Sequence, residues 1–271
     1  MIQGEKLSIQ MLAINPMKIS TIDINNYWQY YGLSCDPFSS DLKDDFYFSL
    51  PRWEEYLDLL QFFCHQMNVI LLITGAHGSG KTTLAEQFYK QAQESMQICC
   101  VKANSLCNGE KLIQLLSEAF INPINLTLSY EEQADELIAS IQQYEKKSLL
   151  LIDDAHLLPN DGLQLLLYLI QQQSQTQMNL HILLVGESYV QNSFSRICHA
   201  QKEEKNYFHV IEIGLFSLDE TNDYLKQRLT KAGFESFPFI QSIVNRIYKL
   251  SNGVPGRINR IAKRTLRTLP C

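Results

Sequence analysis

The residues with the clearest chemistry are Gly75-Ala76-His77-Gly78-Ser79-Gly80-Lys81-Thr82, which fit the spacing G-x-x-x-x-G-K-[ST]. Glycines at 75, 78 and 80 let backbone N–H groups turn inward and cradle anionic oxygens. An apolar run precedes the motif and a helical pattern follows it, so the positive end of a helix dipole would face the same anion. Lys81 is expected to reach the β- and γ-phosphates of a nucleotide, and the Thr82 hydroxyl to ligate Mg²⁺. Thr83 is a candidate for an α-phosphate contact, and His77 is expected to stand in solvent.

A second element is Ser148-Leu149-Leu150-Leu151-Ile152-Asp153-Asp154-Ala155-His156. A continuous apolar strand that ends in carboxylates places acids at the carboxyl edge of a sheet, where open α/β folds bind ligands. Asp153 is expected to hold Mg²⁺, directly or through water. Asp154 either polarises the attacking water or caps a helix. A third element is Leu183-Leu184-Val185-Gly186-Glu187-Ser188. Glu187 or Ser188 could touch a γ-phosphate or its water, although Glu187 would repel a polyphosphate; a helix cap is the alternative.

These side chains need a scaffold that brings three strand ends together. Apolar strands are expected at Val69–Ile73, Gln97–Val101, Leu149–Ile152, Leu180–Val185 and Phe208–Ile213. Helical patterns start near Arg52, at Lys81–Gln93, Asn108–Phe120 and Gly162–Gln173, and after the capping box Ser129-x-x-Glu132. Buried strands separated by helices mean a parallel sheet covered on both faces. After Gly214 only helices follow: one capped by Ser217-x-x-Glu220 and closed at Gly233, one near Phe239–Leu250, and one after Pro255. The expected organisation is a loose leader at 1–26, an α/β core at 27–215 and a small helical lid at 216–271.

Composition bounds the rest. Of 271 residues, 45% are hydrophobic and 19% charged, which excludes a disordered or collagen-like chain. The apolar runs are too short for a membrane helix, and the N-terminus lacks the pattern of a signal peptide. The seven cysteines form no CxxC, and no metal-ligand spacing appears among the six histidines, so reduced thiols in the cytoplasm are the expectation. Net charge is −6, but from Leu215 onward ten Lys/Arg face four Asp/Glu, a local +6 that leaves −12 for the remainder. That asymmetry permits contact with DNA phosphates, yet a basic lid over a triphosphate explains the same charges.

The residues also carry a family resemblance. Tyr31-Gly32-Leu33 with Asp36-Pro37-Phe38, Phe48-x-x-Pro51-Arg52-x-Glu54-Glu55, the phosphate loop, LLLIDDAHLLP at 149–159 and GVPGRINR at 253–260 together resemble the ExeA/GspA branch of the AAA+ P-loop ATPases. That branch includes secretion-pathway protein A, pilus-biogenesis ATPases and DamX-related proteins, with TniB-type transposition ATPases more distant. The resemblance spans about residues 27–268. It implies a five-stranded core with a helical, sensor-2-like lid, ATP and Mg²⁺ as ligands, Tyr31 to Phe38 near the adenine, and Arg257 as a cation approaching the γ-phosphate. Arg257, Arg260, Arg264 and Arg267 also read as one basic stripe on a helix, for which a solvated face is the ordinary explanation. Arg196 is in the region where the family supplies an arginine finger.

One departure bears on rate. The family pattern has Asp-Glu where this chain has Asp153-Asp154, and a carboxylate one methylene shorter can leave the water out of place. The function expected from the sequence is therefore an ATPase whose nucleotide state moves the lid and thereby a protein partner, linked to the cell envelope, secretion or cell division. It would be cytoplasmic, reaching the inner membrane only through a partner, and compatible with a homo-oligomer. The alternatives are a DNA-associated ATPase of the transposition type and a nucleotide switch with little hydrolysis. A small-molecule kinase fits less well, because the second acid suits water activation.

Overall fold

The computed structural model describes residues 26–39, 46–66, 69–120, 127–143, 147–173, 179–200 and 207–268. The expected leader falls outside these apart from Asn26, as do Met67 and Tyr144, which continue the apolar spacing of the helical patterns expected from Arg52 and after Ser129. Five strands, β1 (Ile70–Thr74), β2 (Met96–Lys102), β3 (Lys147–Asp153), β4 (Leu180–Val185) and β5 (Phe208–Glu212), pair entirely in parallel in the order β2-β3-β4-β1-β5. A strand inserted between β1 and β3 holds their ends about 10 Å apart, two inter-strand spacings.

The helices alternate with the strands as a covered parallel sheet requires. Tyr27–Tyr30 forms a single turn (α1), and α2 runs Pro51–Gln66, α3 Lys81–Ala92, α4 Gly109–Phe120, α5 Tyr130–Gln143, α6 Asn160–Gln173 and α7 Tyr189–Ala200. Helix α6 starts two residues before the expected Gly162, with Asn160 and Asp161 in its first turn. Side chains alternate across the sheet. Leu72, Leu150, Ile152, Ile182 and Leu184 pack against α4 to α7, whereas Leu71, Ile73, Leu151, Leu183 and Val185 pack against α2 and α3.

Three further helices complete the chain: α8 (Leu218–Lys231), α9 (Gln241–Ser251) and α10 (Pro255–Thr268). Ser217 and Glu220 close a reciprocal capping box on α8, and Gly233 ends that helix with φ +100°. The apolar faces of these helices belong to the same cluster as α2, α3 and one face of the sheet. Arg52 of α2 ties the junction, donating to the Leu215 carbonyl and to Glu220, each at 3.0 Å. Among the described residues no disulfide joins two cysteines. Among the described residues no helix is long and apolar enough to cross a membrane.

Candidate functional site

The turn from β1 to α3 is built around backbone that a side chain would obstruct. Gly80 sits at φ +100° as the residue before α3, and a Cβ there would come 2.6 Å from Cη2 of the buried Trp53. The ring of Trp53 on α2 is thus the floor of the loop, and only glycine lets the chain lie on it. The α3 N-terminus has no side-chain cap. Its first amides are available to an anion, in the direction the helix dipole favours.

Lys81 lies over this turn and donates to the carbonyls of Gly75 at 2.9 Å and Ala76 at 3.0 Å. Burial lowers the pKa of its ammonium, against the opposing fields of Glu187, Asp153 and Asp154. The Thr82 hydroxyl donates to Asp153 Oδ2 at 3.0 Å, with Oδ1 at 3.3 Å. Hence the carboxylate at the end of β3 reaches across the tip of β4 to the first turn of α3. Asp153 Oδ1 also accepts from the Asp154 amide at 2.9 Å, and Asp154 itself adopts a left-handed backbone at φ +53°. Aspartate tolerates that conformation better than most residues. It turns the chain into the short 3₁₀ turn Ala155–Leu157 and leaves the Asp154 carboxylate 3.8 Å from the Lys102 ammonium.

A cleft of about 390 Å³ joins these groups. His77, Gly78, Gly80, Lys81, Thr82 and Thr83 line one side, Asp153, Asp154, Val185 and Gly186 another. Gly75, Ala76 and Ser79 shape the loop without facing the cleft, and Ser79 is buried with an unpartnered hydroxyl. His77 is exposed, as expected, but at the cleft's rim. Glu187 is close enough for its charge to act on Lys81, while Ser188 is exposed and begins α7 with its carbonyl accepting from Gln191.

The third wall comes from the C-terminal helices and the segment before α2. The Gly256 amide donates to the Gly78 carbonyl at 2.9 Å, so the start of α10 rests directly on the loop. This contact also sets where Arg257 stands. Successive helical residues are about 100° apart around the axis. With Gly256 facing the loop, Arg257 turns outward into solvent and does not line the cleft, whereas Asn259 comes back to it. A cation of α8, Arg228, does line the cleft. Its guanidinium stacks 5.1 Å from the Tyr224 ring and 5.8 Å from that of Phe46, and its Nε is buried without a partner. The sequence does hold a signal for it: Arg228 interrupts an otherwise buried row with Thr221, Tyr224 and Leu225.

The segment Tyr31 to Phe38 packs on the C-terminal helices, with the Tyr31 hydroxyl donating to the Leu266 carbonyl at 2.7 Å and the Ser34 amide to the Ala232 carbonyl at 2.9 Å. Ser39, Phe46 and Tyr47 are the neighbours that line the cleft. Asp36 lies between the Lys263 ammonium at 2.5 Å and the Tyr27 hydroxyl. Burial alone would raise the Asp36 pKa, but bonds from Lys263, Tyr27 and the Phe38 amide outweigh it and lower it. Arg196 is exposed on α7 and faces a separate groove with Asn160 and Gln164 of α6.

The donor set fits a nucleotide polyphosphate with a divalent cation. An uncapped helix start, a lysine and a second cation would hold the phosphates, and the paired oxygens of Thr82 and Asp153 suit an oxygen-seeking ion.

Comparison with known proteins agrees. The family model described as AAA domain matches residues 65–194. General secretion pathway protein A of Aeromonas hydrophila is 26% identical over 246 residues, which cover 89% of this chain and 44% of that protein. The chain thus spans less than half the length of that relative. Among solved structures, Cdc6p from Pyrobaculum aerophilum aligns with TM-score 0.63 and 20% identity, covering 86% of this chain and 65% of the other. A Walker-type ATPase of Pyrococcus abyssi aligns with TM-score 0.60 and 18% identity over 86% and 72%. The chain therefore has the fold of the AAA+ P-loop ATPases, matches the AAA domain model over residues 65–194, and is similar to general secretion pathway protein A.

Proposed function

We propose that the protein binds Mg·ATP in this cleft and hydrolyses it, and that the change in bound nucleotide moves α8 to α10 as a lid relative to the sheet. The observation that carries the reading is the Thr82–Asp153 pair at 3.0 Å, which joins the phosphate turn to the strand-end carboxylate. Thr82 and Asp153 would hold the magnesium ion, which when bound neutralises the β- and γ-phosphate oxygens. Lys81 would exchange its two carbonyl bonds for bonds to the phosphates. Lys81, Thr82, Thr83 and the loop amides orient the γ-phosphate, and Gly256 and Asn259 close over it. Asp154 takes a proton from the attacking water as the water's oxygen bonds to phosphorus and the bond from phosphorus to the β-phosphate oxygen breaks, leaving inorganic phosphate and ADP.

The outlet of this cycle is a protein partner, and the relation to general secretion pathway protein A favours one at the cell envelope over DNA. A cytoplasmic place, with the inner membrane reached through that partner, belongs to the same proposal. A second reading, a nucleotide switch with slow turnover, draws on the short Asp154 side chain and its neighbour Lys102 at 3.8 Å.

ATP binding and phosphate release by wild type, Lys81→Ala and Asp154→Asn distinguish these readings. Lys81→Ala should weaken binding or turnover at least about tenfold, and Asp154→Asn should retain binding while release falls about a hundredfold. Undiminished release by Asp154→Asn would remove that residue from the water's path.

A further inference from the structure

A groove on the far side of the lid has a chemistry the nucleotide cleft does not use. Residues 241–268 contain seven Lys/Arg and no Asp/Glu. Lys263 is engaged by Asp36, and the Arg267 guanidinium lies 5.3 Å from the Tyr27 ring. Arg246, Lys249, Arg257, Arg260 and Arg264 have no acidic partner among the described residues.

Two of these cations flank an apolar furrow. From α9, Ile243, Arg246, Ile247 and Leu250 line it; from α10, Ile261, Arg264, Thr265 and Thr268 do. Both sets have the spacing i, i+3, i+4, i+7, so each helix presents one straight row and the furrow runs between two helical ridges. The floor is aliphatic, and Leu250 at its edge is 59% exposed. One arginine stands on each wall. The furrow holds about 410 Å³.

We propose that this furrow is a docking site for an amphipathic helix of a partner protein, with aliphatic residues at i, i+3, i+4 and i+7 and Asp/Glu on its flanks. A third helix laid on two others covers the aliphatic rows, while its acids meet Arg246 and Arg264. Duplex DNA would satisfy the cations but leave Leu250 and the isoleucines uncovered, so the floor decides against it. Because the site is borne by the lid, its orientation would follow the nucleotide if the lid moves as proposed; the docking itself does not depend on that.

The test uses the full chain and fluorescence anisotropy at near-physiological salt. The probe is a labelled peptide of about 18 residues, long enough to form helix on binding, with leucines at the stated spacing and glutamates elsewhere. Controls are a peptide of the same composition in scrambled order and a labelled DNA duplex. The ordered peptide should bind at least about tenfold more tightly than the scrambled one. Arg246→Ala/Arg264→Ala should weaken it about tenfold or more, and Leu250→Ser should weaken it as well, with ATP binding and melting temperature unchanged. Equal binding of the two peptides, no binding of either, or DNA binding lost in the same variants would each overturn the proposal. So would self-association of the chain that these variants abolish, which would assign the furrow to a second copy. Failure of ATP binding alone would count against the cleft and leave the furrow standing.

Discussion

At the scale of single residues, the cleft sorts cations by how they are held. Arg228 is fixed between two aromatic rings with part of its guanidinium buried, while Arg257 stands in solvent one residue past the contact of Gly256 with Gly78. A cation held in place against a desolvated wall interacts more strongly than one free to move in water. Arg228→Ala should therefore weaken ATP binding by about tenfold and Arg257→Ala by less than about twofold, as read by calorimetry; the reverse order would restore Arg257 to the site. Asp36 offers a test by pH. Its carboxyl titrates below the ordinary value in the folded chain, so the pair with Lys263 adds stability above about pH 4, where the unfolded chain also ionises, and loses it as pH falls through the depressed value. Asp36→Asn should cost roughly 2 kcal/mol near neutrality. The gap to wild type should close in acid unfolding experiments below pH 4.

At the scale of elements, the contact between α10 and the loop before α3 would couple a bound nucleotide to the C-terminal helices. A Cβ on Gly256 would meet Gly78 backbone at 3.3 Å, and a branched side chain would press further. Gly256→Val should lift α10 from the loop, raising the KM for ATP several-fold while the melting temperature falls by only a few degrees. An unchanged KM would mean that the lid does not close on the phosphates. The elements differ in how plainly they could be read. Strands β1, β3 and β4 are buried on both faces over the apolar runs Ile70–Ile73, Leu149–Ile152 and Ile182–Val185. Helix α7 was not anticipated, because its inner face is only Val190, Phe194 and Ile197 among polar neighbours. The capping boxes before α5 and α8 formed as their spacing required, since that signal is local.

At the scale of the molecule, the C-terminal helices share one apolar cluster with α2, α3 and the sheet. Removing Phe216, Tyr224, Leu225 and Phe239 would uncover the side chains of α2, α3 and the sheet that share this cluster with them. A chain ending at Leu215 should therefore unfold at a much lower temperature than the full chain, or aggregate, and the full chain should melt in one transition that ATP shifts upward. Two transitions in calorimetry would show that the lid is an independent unit.

The phosphate turn, the strand that ends in Asp153-Asp154 and the alternation of strands and helices were legible in the amino-acid order, because each depends on neighbours within a few residues. The order of the strands, the placing of Arg228 on the cleft with Arg257 in solvent, and of Phe46 and Tyr47 on the cleft with Tyr31 against α10, were decided by tertiary packing. Each depends on which way a helix is rotated when its apolar face meets another element, and spacing along one chain says nothing of that rotation until the second surface is present.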